Sequence, residues 1–506
     1  MISKRRHHPL SMIIDMWGYI KSAFLPALFL FVLNHDSDAF IWKYGRYAFI
    51  IITILTVIFF MLKWLTYQYE LTTNAFHLYS GYLNKEEQII PYNKIQNINK
   101  KTTALHRLFH MTSLHFETAM SGDNATVVFN AISETQAAEI ERLIERTTAE
   151  EEPVFSNEIS VNAEEEANEE AERKVHFTPT TRDSIRAAFT SFSFLILIPI
   201  LFSIYTKVED LFDIEKQTEG IFAFFFSTWW MAAIMILLIF LLSMLIGMVR
   251  IYLKYGKYEI SSDNNRIYIN RGVLNETYFS MAKQNVQAIK IEQSLIKRIL
   301  GIVEIKLVSV GDLSTDNDEL EISSLYPFLN KAHAYAILQD ILPDYQITEK
   351  MRQLPRQALW LNLFKGAFFY LIPAAIVLYF KPTFWGMTQT WWIIVLLLLF
   401  IVINTGILLS YQQSGYVMND AFIQMKKGAF GTSVFVSRRD KISEVSISRS
   451  ILQKQLGTAT LEIINRAHPV EHTTIDHVPY TAARSFYHWY RQRTAEVLLE
   501  NNESNI

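Results

Sequence analysis

The strongest constraint in this chain is an internal repeat, because nearly the same pattern occurs three times. Each copy has a proline inside an apolar stretch, followed by a glycine between two strand-like runs. The prolines are Pro26, Pro199 and Pro373, and the glycines are Gly81, Gly272 and Gly428. A repeat of this kind identifies an architecture before any single motif does. We interpret each copy as two apolar spans followed by one small β-rich domain.

After each glycine the three copies align without gaps. Ile95–Ile98 aligns with Val286–Ile289 and Ile442–Val445, and Leu105–His110 aligns with Ile296–Gly301 and Leu452–Gly457. The first copy departs from the other two at the end of the second block, where His110 replaces a glycine. We therefore expect the turn of the first copy to differ from the other two.

Six apolar segments explain a composition that is too hydrophobic for an ordinary soluble enzyme, with 50% hydrophobic and 19% charged residues among 506. They are Met16–Leu33, Tyr47–Leu65, Ile185–Tyr205, Ile221–Ile251, Trp360–Phe380 and Trp391–Ser410. Each is close to the ~20 residues that a helix needs to cross a bilayer. We predict a multi-pass membrane protein with six transmembrane helices arranged as three hairpins.

The positions of lysine and arginine predict the orientation of these helices. The short loops inside the three hairpins carry few basic residues, namely Lys43, Arg46, Lys207, Lys216 and Lys381. Nearly all others, beginning with Lys4, Arg5 and Arg6, lie on the opposite side. The positive-inside rule then places both termini and all three β domains in the cytoplasm. Because no small-residue cleavage site follows Arg6, we expect an uncleaved membrane anchor rather than a signal peptide.

The β domains show alternating strands and end in a helix. Val303–Leu307 alternates apolar and polar residues, as a strand with one buried face should. Gly81, Gly272 and Gly428 fall where a hairpin needs a positive φ. The closing helices are predicted at Ser133–Arg146, with Ser133 as N-cap, and at Pro327–Ile341 and Thr481–Arg493. We expect small α+β domains, each a sheet or partly open barrel closed by one helix.

These assignments divide the chain into eight segments. They are hairpin 1 (1–65), β domain 1 (66–148), an acidic linker (149–174), hairpin 2 (175–251), β domain 2 (252–346), hairpin 3 (347–410), β domain 3 (411–495) and a tail (496–506). The linker carries ten glutamates and no lysine or arginine between Glu150 and Glu172. Such a composition buries too little apolar surface to fold, so we predict a disordered spacer.

No catalytic, cofactor or metal site is predicted. The chain has no cysteine, which excludes disulfides and thiolate chemistry. His468–His472 matches a zinc-peptidase pattern, H-x-x-E-H, that requires a helix. This segment aligns with an evident hairpin turn at Ser121–Ala125 and precedes a strand-like run, so we reject a catalytic role. A metal site that recruits Asp476 or His477 is a remote alternative.

Basic residues recur at matching places in the three β domains. They are Lys94, Lys100, Lys101 and Arg107, then Lys283, Lys290, Lys297 and Arg298, and finally Arg438, Arg439, Lys441, Arg449 and Lys454. One interpretation is contact with anionic lipid head groups, to which each such residue contributes about 1 kcal/mol, or docking by a sheet edge. The other is the ordinary positive-inside bias. Nucleic-acid binding is not expected, because stacking aromatic residues are missing among them.

The predicted spans contain no aspartate or glutamate. Ion-coupled transporters usually place ionisable groups at mid-membrane, so this composition disfavours transport. Asn404 and Thr405 form the main polar pair at depth, which we interpret as an interhelical hydrogen bond.

The repeat resembles the bacterial pleckstrin-homology-like membrane proteins, and three units in one chain resemble the YdbT family in particular. The residues that carry the resemblance are Tyr92–Gln96, Gln287, Gln293–Gly301 and Ser448–Gly457. The resemblance implies a bacterial cell-membrane protein with seven-stranded, partly open barrels, each capped by a C-terminal helix. It also implies a smaller YdbS-like membrane partner with one hairpin and one PH-like domain, and a role in resistance to membrane-active antimicrobial peptides.

Two functions are compatible with this organisation. The first is a non-enzymatic membrane scaffold, whose PH-like domains bind other proteins or the membrane surface through sheet edges and grooves. The alternative is a transporter that exports peptides or lipids and uses the repeated prolines as hinges. No G-x-x-x-x-G-K-[ST] loop for a nucleotide occurs in the chain.

Overall fold

The computed structural model describes most of the chain. The described residues are 4–33, 40–72, 74–81, 86–118, 126–150, 173–190, 229–309, 324–380, 389–419, 421–467 and 470–503. The chain forms two compact units. Unit 1 comprises Met1–Arg173 and Tyr268–Ala282, and unit 2 comprises Lys174–Ile267 and Lys283–Ile506.

The described helices are numbered in chain order. They are α1 (Leu10–Leu28), α2 (Phe40–Thr66), α3 (Ala104–Leu108), α4 (Glu134–Glu150), α5 (Thr181–Thr190), α6 (Trp229–Tyr255), α7 (Leu295–Ile299), α8 (Lys331–Ile341), α9 (Arg356–Phe380), α10 (Gln389–Gln413), α11 (Ile451–Gln455) and α12 (Tyr480–Glu503).

The described strands are numbered in the same way. They are β1 (Arg5–Arg6), β2 (Gln68–Leu71), β3 (Ala75–Ser80), β4 (Glu86–Pro91), β5 (Ile95–Thr102), β6 (Met111–Thr118), β7 (Thr126–Ser133), β8 (Lys174–Phe177), β9 (Glu259–Ser262), β10 (Arg266–Arg271), β11 (Glu276–Ala282), β12 (Val286–Gln293), β13 (Ile302–Ser309), β14 (Leu329–Asn330), β15 (Arg352–Gln353), β16 (Gly415–Met418), β17 (Phe422–Gly428), β18 (Thr432–Arg438), β19 (Ile442–Ser448), β20 (Thr458–Asn465) and β21 (Glu471–Pro479).

Four described helical segments are long and apolar enough to cross a membrane. They are Leu10–Phe31, Trp42–Thr66, Arg356–Phe380 and Trp391–Gln413. They correspond to predicted hairpins 1 and 3, whose helices are linked by side chains. Tyr19 Oη lies 2.9 Å from Thr53 Oγ1, and Tyr370 donates to the carbonyl of Leu396. Pro26 and Pro373 lie inside their helices, as predicted.

The prediction of six spans is not confirmed for the second hairpin. Most of the predicted span Ile185–Tyr205, with Pro199, lies outside the described residues, as do the outer loop at 206–220 and most of the acidic linker. Helix α6 occupies much of the predicted fourth span, although it is not among the four segments above. Among the residues that the structure describes, it therefore supports four candidate spans, whereas the sequence predicts six in the whole chain.

In unit 1, one sheet has the order β1-β2-β3-β4, and strands β7-β6-β5-β11-β10 follow one another in a second sheet. The first β domain has an aromatic core in which Phe76 packs edge-on against Tyr92 and stacks on Phe116. Helix α4 closes this core through Ile140 and Ile144, both buried. Their spacing of four residues puts both side chains on one face of the helix.

In unit 2, a seven-stranded sheet has the order β14-β13-β12-β18-β17-β16-β15, and β19-β20-β21 form a separate sheet. Helix α12 closes the third β domain with Phe486 and Trp489. Leu354, two residues before α9, and Ala358, in the first turn of α9, belong to the same core. The first turn of a hairpin helix thus packs into the β domain that follows it.

A short strand precedes the first helix of each hairpin. Strand β1 pairs with β2, β8 pairs with β9, and β15 pairs with β16. In each repeat, the segment before the hairpin therefore pairs with the first strand that follows the hairpin. In the first and third β domains this strand brings the described number to seven, as the resemblance implied. The sequence partition places Arg5–Arg6 and Arg352–Gln353 in the hairpins, whereas these residues pair with strands of the β domains.

The predicted turns and caps are confirmed at the glycines and at Ser133. Gly81, Gly272 and Gly428 have φ values of 93°, 99° and 146°. The backbone nitrogen of Gln136 donates to Ser133 Oγ at 3.2 Å, which caps α4. The closing helices begin at Glu134, Lys331 and Tyr480.

The expectation of a different turn at His110 is wrong. His110 has φ of 51°, and the equivalent glycines Gly301 and Gly457 both have φ of 67°. The first copy keeps the left-handed conformation with a residue that has a Cβ. Such a conformation is strained for a side chain other than glycine.

Candidate assembly site at the sheet edges

The candidate site consists of two strands in each β domain. We call β4, β11 and β18 the c strands, because each is the third strand after its hairpin. We call β5, β12 and β19 the d strands, because each comes next in the chain. A short turn separates the two, and they join different sheets. The third and fourth strands of a domain are therefore neighbours in sequence but not in a sheet.

In unit 1, d strand β5 pairs antiparallel with c strand β11. The pairing runs from Asn97 opposite Met281 to Thr102 opposite Glu276. The two strands belong to consecutive repeats. Backbone hydrogen bonds across a sheet therefore connect one repeat to the next, which is β-strand addition between domains.

In unit 2, d strand β12 pairs antiparallel with c strand β18. The pairing runs from Ala288 opposite Ser437 to Gln293 opposite Thr432. In the gapless alignment Ala288 is equivalent to Asn97, and Ser437 is equivalent to Met281. The two junctions therefore use the same register to the residue. A register shift of one residue would turn every side chain to the opposite face of the sheet.

A buried polar cluster fixes one end of the unit 2 junction. Asn465 Nδ2 lies 2.7 Å from Ser437 Oγ and 3.3 Å from the carbonyl oxygen of Gln287. Ser437 Oγ donates to the same carbonyl at 3.1 Å. Both Asn465 and Ser437 are fully buried. Asn465 Nδ2 and Ser437 Oγ therefore have hydrogen-bond partners in the cluster, whereas Asn465 Oδ1 is buried without one. A slip of the strands would remove these buried hydrogen bonds, which favours the observed register.

Charged side chains cross the same junction. Lys290 Nζ lies 3.3 Å from a carboxylate oxygen of Glu471 in the third domain and 3.4 Å from Glu292. Burial acts to raise the pKa of Glu292, but the hydrogen bond and charge of Lys306, with that of Lys290, lower this pKa below its usual value. The glutamate is therefore ionised at neutral pH. The ion pair between Lys290 and Glu471 therefore adds charge complementarity to the backbone pairing of the two domains.

The unit 1 junction has its own ion pair. Arg107 Nη2 lies 3.0 Å from Glu276 of strand β11, and the same guanidinium donates to the carbonyl of Val273. Both side chains of the ion pair are more than a third exposed. Exposed pairs stabilise by about 0–1 kcal/mol, so this one assists the strand pairing without determining it.

Several of the recurrent basic residues therefore have protein partners. Arg107, Lys290 and Lys441 bridge consecutive repeats, the last by donating to the carbonyl of Gln284. Lys297 pairs with Glu304 at 2.7 Å, and Arg438 pairs with Asp344 at 3.1 Å. Of the interpretations left open by the sequence, the contacts of Arg107, Lys290, Arg438 and Lys441 between repeats favour docking by a sheet edge, whereas that of Lys297 lies within its own domain.

The residues of the zinc-peptidase pattern that are described lie on a strand. Glu471 and His472 are adjacent in β21, where Glu471 contacts Lys290 and His472 lies 3.1 Å from Glu462. His468 lies outside the described residues. Within the described part of the chain, no three histidine, aspartate or glutamate side chains are grouped as a metal site. Through Glu471, this segment contributes an ion pair to the unit 2 junction.

His477 is a buried link between the third β domain and its hairpin. Its exposed fraction is 1%, and it lies 3.2 Å from both Gln453 Nε2 and Asn362 Oδ1 of α9. Burial, with a smaller effect of Lys365, lowers the pKa of His477. The imidazole is therefore neutral and uses its two nitrogens as one donor and one acceptor.

A cavity of about 1020 Å³ opens at the base of hairpin 3, inside unit 2. Its walls combine apolar side chains of α9 and α10, such as Phe369 and Ile403, with polar groups that include Lys427 and Asp476. Nearby, Asn404 donates to the carbonyl of Phe400 in its own helix. The hydrogen bond of Asn404 that the structure describes is thus within its helix, and an interhelical bond of the pair Asn404 and Thr405 stays a prediction.

A comparison with known protein families also finds three repeats in the chain. A family model described as bacterial PH domain matches residues 22–148, 200–344 and 367–494. The chain belongs to the bacterial PH domain family. The resemblance inferred from the short motifs is thus confirmed, and each matched segment covers nearly all of one β domain with part of the hairpin before it.

A curated relative has the same extent as this chain. It is the transmembrane protein YdbT of Bacillus subtilis (strain 168), which is 23% identical over 506 residues, covering 98% of this chain and 100% of the relative. No solved structure matches the chain at a significant level. The chain is thus similar to a transmembrane protein that it matches from end to end, and its bacterial PH domains are joined by their c and d strands.

Proposed function

We propose that this protein is a non-enzymatic membrane scaffold, whose bacterial PH domains bind other proteins through the edges of their sheets. The observation that carries this proposal is the repeated d-to-c junction, formed twice with one register. The same type of joint can accept a bacterial PH domain of another chain. Main-chain hydrogen bonds would supply the affinity, and side chains such as those around Asn465 would supply the specificity.

The membrane part of the proposal follows from the apolar helices and the distribution of basic residues. Three hairpins would anchor the chain in a bacterial cell membrane, with both termini and all three bacterial PH domains in the cytoplasm. We further propose a smaller membrane partner with one hairpin and one PH-like domain. Resistance to membrane-active antimicrobial peptides would then result from a complex assembled at the inner membrane surface.

Purification of tagged full-length protein from its own cells in mild detergent, with mass spectrometry of the bound material, tests the scaffold. A smaller protein with one hairpin and one PH-like domain, in a fixed ratio to this chain, is the expected result. A monomer that retains only lipid or peptide would contradict the scaffold and favour the transporter.

Two variants of this chain further distinguish the scaffold from the transporter. Ile89→Lys places a charge on β4, which is the end strand of its sheet, whereas Asn404→Leu with Pro373→Ala changes only the third hairpin. The scaffold predicts that the first variant weakens retention of the partner and the second does not. Loss of peptide resistance in the second variant, with assembly intact, would favour transport.

A further inference from the structure

The two described junctions use the d strands β5 and β12 and the c strands β11 and β18. The first c strand and the last d strand of the chain take part in neither junction. A c strand, β4, is the end strand of the sheet β1-β2-β3-β4, and a d strand, β19, is the end strand of β19-β20-β21. This statement concerns the strands in the described part of the chain. One chain therefore carries both halves of a further d-to-c joint. An edge strand presents unpaired backbone groups that can pair with another strand.

Burial along the d strands shows what a c strand covers. Ile98 of β5 and Ile289 of β12 are equivalent, and their exposed fractions are 3% and 0%. The equivalent residue of β19 is Val445, which is only partly buried. Ile447 of β19 is partly buried as well, whereas its equivalent Ile291 is 4% exposed. The apolar residues of β19 are thus less covered than their equivalents in a completed junction.

Equivalent residues of the c strands also differ in their exposed fractions. Ser280 and Val436 are equivalent residues of β11 and β18, with exposed fractions of 3% and 0%. The equivalent residue of β4 is Ile89, which is 50% exposed. In the register of the two junctions, Ile89 would lie directly opposite Val445, just as Val436 lies opposite Ile289. Two aliphatic side chains would then cover each other, which is a favourable cross-strand pair.

The charges on the two edges are compatible with this register. Glu444 of β19 would face Ile90, and Glu87 of β4 would face Ile447. No carboxylate would lie directly opposite another carboxylate, an arrangement that destabilises a strand pair.

We propose that β4 of a second copy of this chain docks antiparallel onto β19, in the register of the two internal junctions, with Ile89 opposite Val445. The proposal rests on the scaffold function above and identifies the occupant of one edge. The contact is head-to-tail, since it joins two different surfaces. Such contacts close into rings or extend into filaments, depending on the rotation between copies.

Cysteine cross-linking in membranes tests the proposed register. The natural chain has no cysteine, so every disulfide comes from the introduced residues. Two full-length chains with different tags are co-expressed, one with Val445→Cys and the other with Ile89→Cys, and the membranes are oxidised. The expected product is a reducible dimer that carries both tags, at least fivefold more abundant than with either variant alone.

Two controls accompany this experiment. Replacing Ile89→Cys by Gln88→Cys moves the thiol by one residue to the other face of the strand, so the mixed dimer should fall to background. Lys100→Cys with Tyr278→Cys in one chain reports oxidation across an existing junction, because these residues lie opposite each other in unit 1.

Three outcomes would overturn the proposal. The first is that no mixed dimer forms while the unit 1 control forms its disulfide. The second is that Gln88→Cys gives as much mixed dimer as Ile89→Cys, and the third is a link from the Val445→Cys chain to a smaller protein. The last outcome would leave the scaffold function intact and replace the second copy by the proposed smaller partner. Native mass spectrometry of the unmodified protein gives an independent measurement. Head-to-tail docking predicts oligomers whose masses are multiples of 58.9 kDa, and Val445→Lys should abolish these oligomers.

Discussion

The amide nitrogen of Asn465 lies 2.7 Å from the hydroxyl oxygen of Ser437, and both side chains are fully buried between the d strand of one bacterial PH domain and the strands of the next. Ser437 in turn donates to the carbonyl of Gln287. One hydroxyl therefore connects β12, β18 and β20. The contact turns a generic strand pairing into a specific one.

Ser437→Ala should destabilise the unit 2 junction by about 0.5–1.5 kcal/mol, because a buried hydrogen bond is lost while Asn465 Nδ2 keeps the carbonyl oxygens of Lys441 and Gln287 as acceptors. The shift is measured as the midpoint of urea unfolding in detergent. Ser433→Ala is the matched control, since Ser433 lies on the same strand and is only partly buried. Equal midpoints for the two variants would contradict a structural role of the cluster.

His110→Gly should stabilise the first bacterial PH domain by about 0.5–1 kcal/mol, because glycine relieves the cost of the left-handed conformation at φ of 51°. His110 is exposed, so no buried contact is lost. The reverse change, Gly301→His, should destabilise the second domain by a similar amount, since a Cβ there meets no atom within 4 Å. Unfolding midpoints that move in the same direction for both variants would refute the argument.

Gly272→Ala should cost more than about 2 kcal/mol. Its φ of 99° is unfavourable for alanine, and the new Cβ would overlap the carbonyl oxygen of Asn275. Gly301→Ala has the backbone cost without the overlap and serves as control. Limited proteolysis of the two variants gives the order of stability, and equal rates would show that the β10–β11 turn relaxes freely.

His7 should make the protein less stable in mild acid. The side chain is 5% exposed and lies against Tyr67, Tyr69 and Phe129. Burial, with the charge of Lys63, lowers the pKa of His7 to about 4, compared with 6.5 for an exposed histidine. Between these values the unfolded state binds more protons, so stability is complete above about pH 6.5 and falls as the pH approaches 4.

The expected loss through His7 is about 2 kcal/mol between roughly pH 7.5 and pH 5. His7→Phe keeps the ring but cannot be protonated, so its unfolding free energy should change less over this interval. His333→Phe, at an exposed site of α8, should leave the pH profile unchanged. If His7→Phe and the natural chain had parallel profiles, His7 would not be the group responsible.

Much of the fold could be predicted from local patterns. The alternation in Val303–Leu307 predicted β13, the glycines predicted three hairpin turns, and Ser133 predicted the start of α4. These features depend on residues close in sequence, for which period and φ preference are sufficient. The two-residue strands β1 and β15 were missed, since Arg5–Arg6 and Arg352–Gln353 are exposed and show no alternation.

The sequence by itself determined the three repeats, their apolar spans and the faces of their strands. Only the tertiary structure decided that β5 pairs with β11 and β12 with β18, rather than each d strand with the c strand of its own domain. The reason is physical. Side-chain alternation sets which face of a strand is buried, whereas the backbone groups at its edge are the same in every strand and accept any partner that geometry brings within reach.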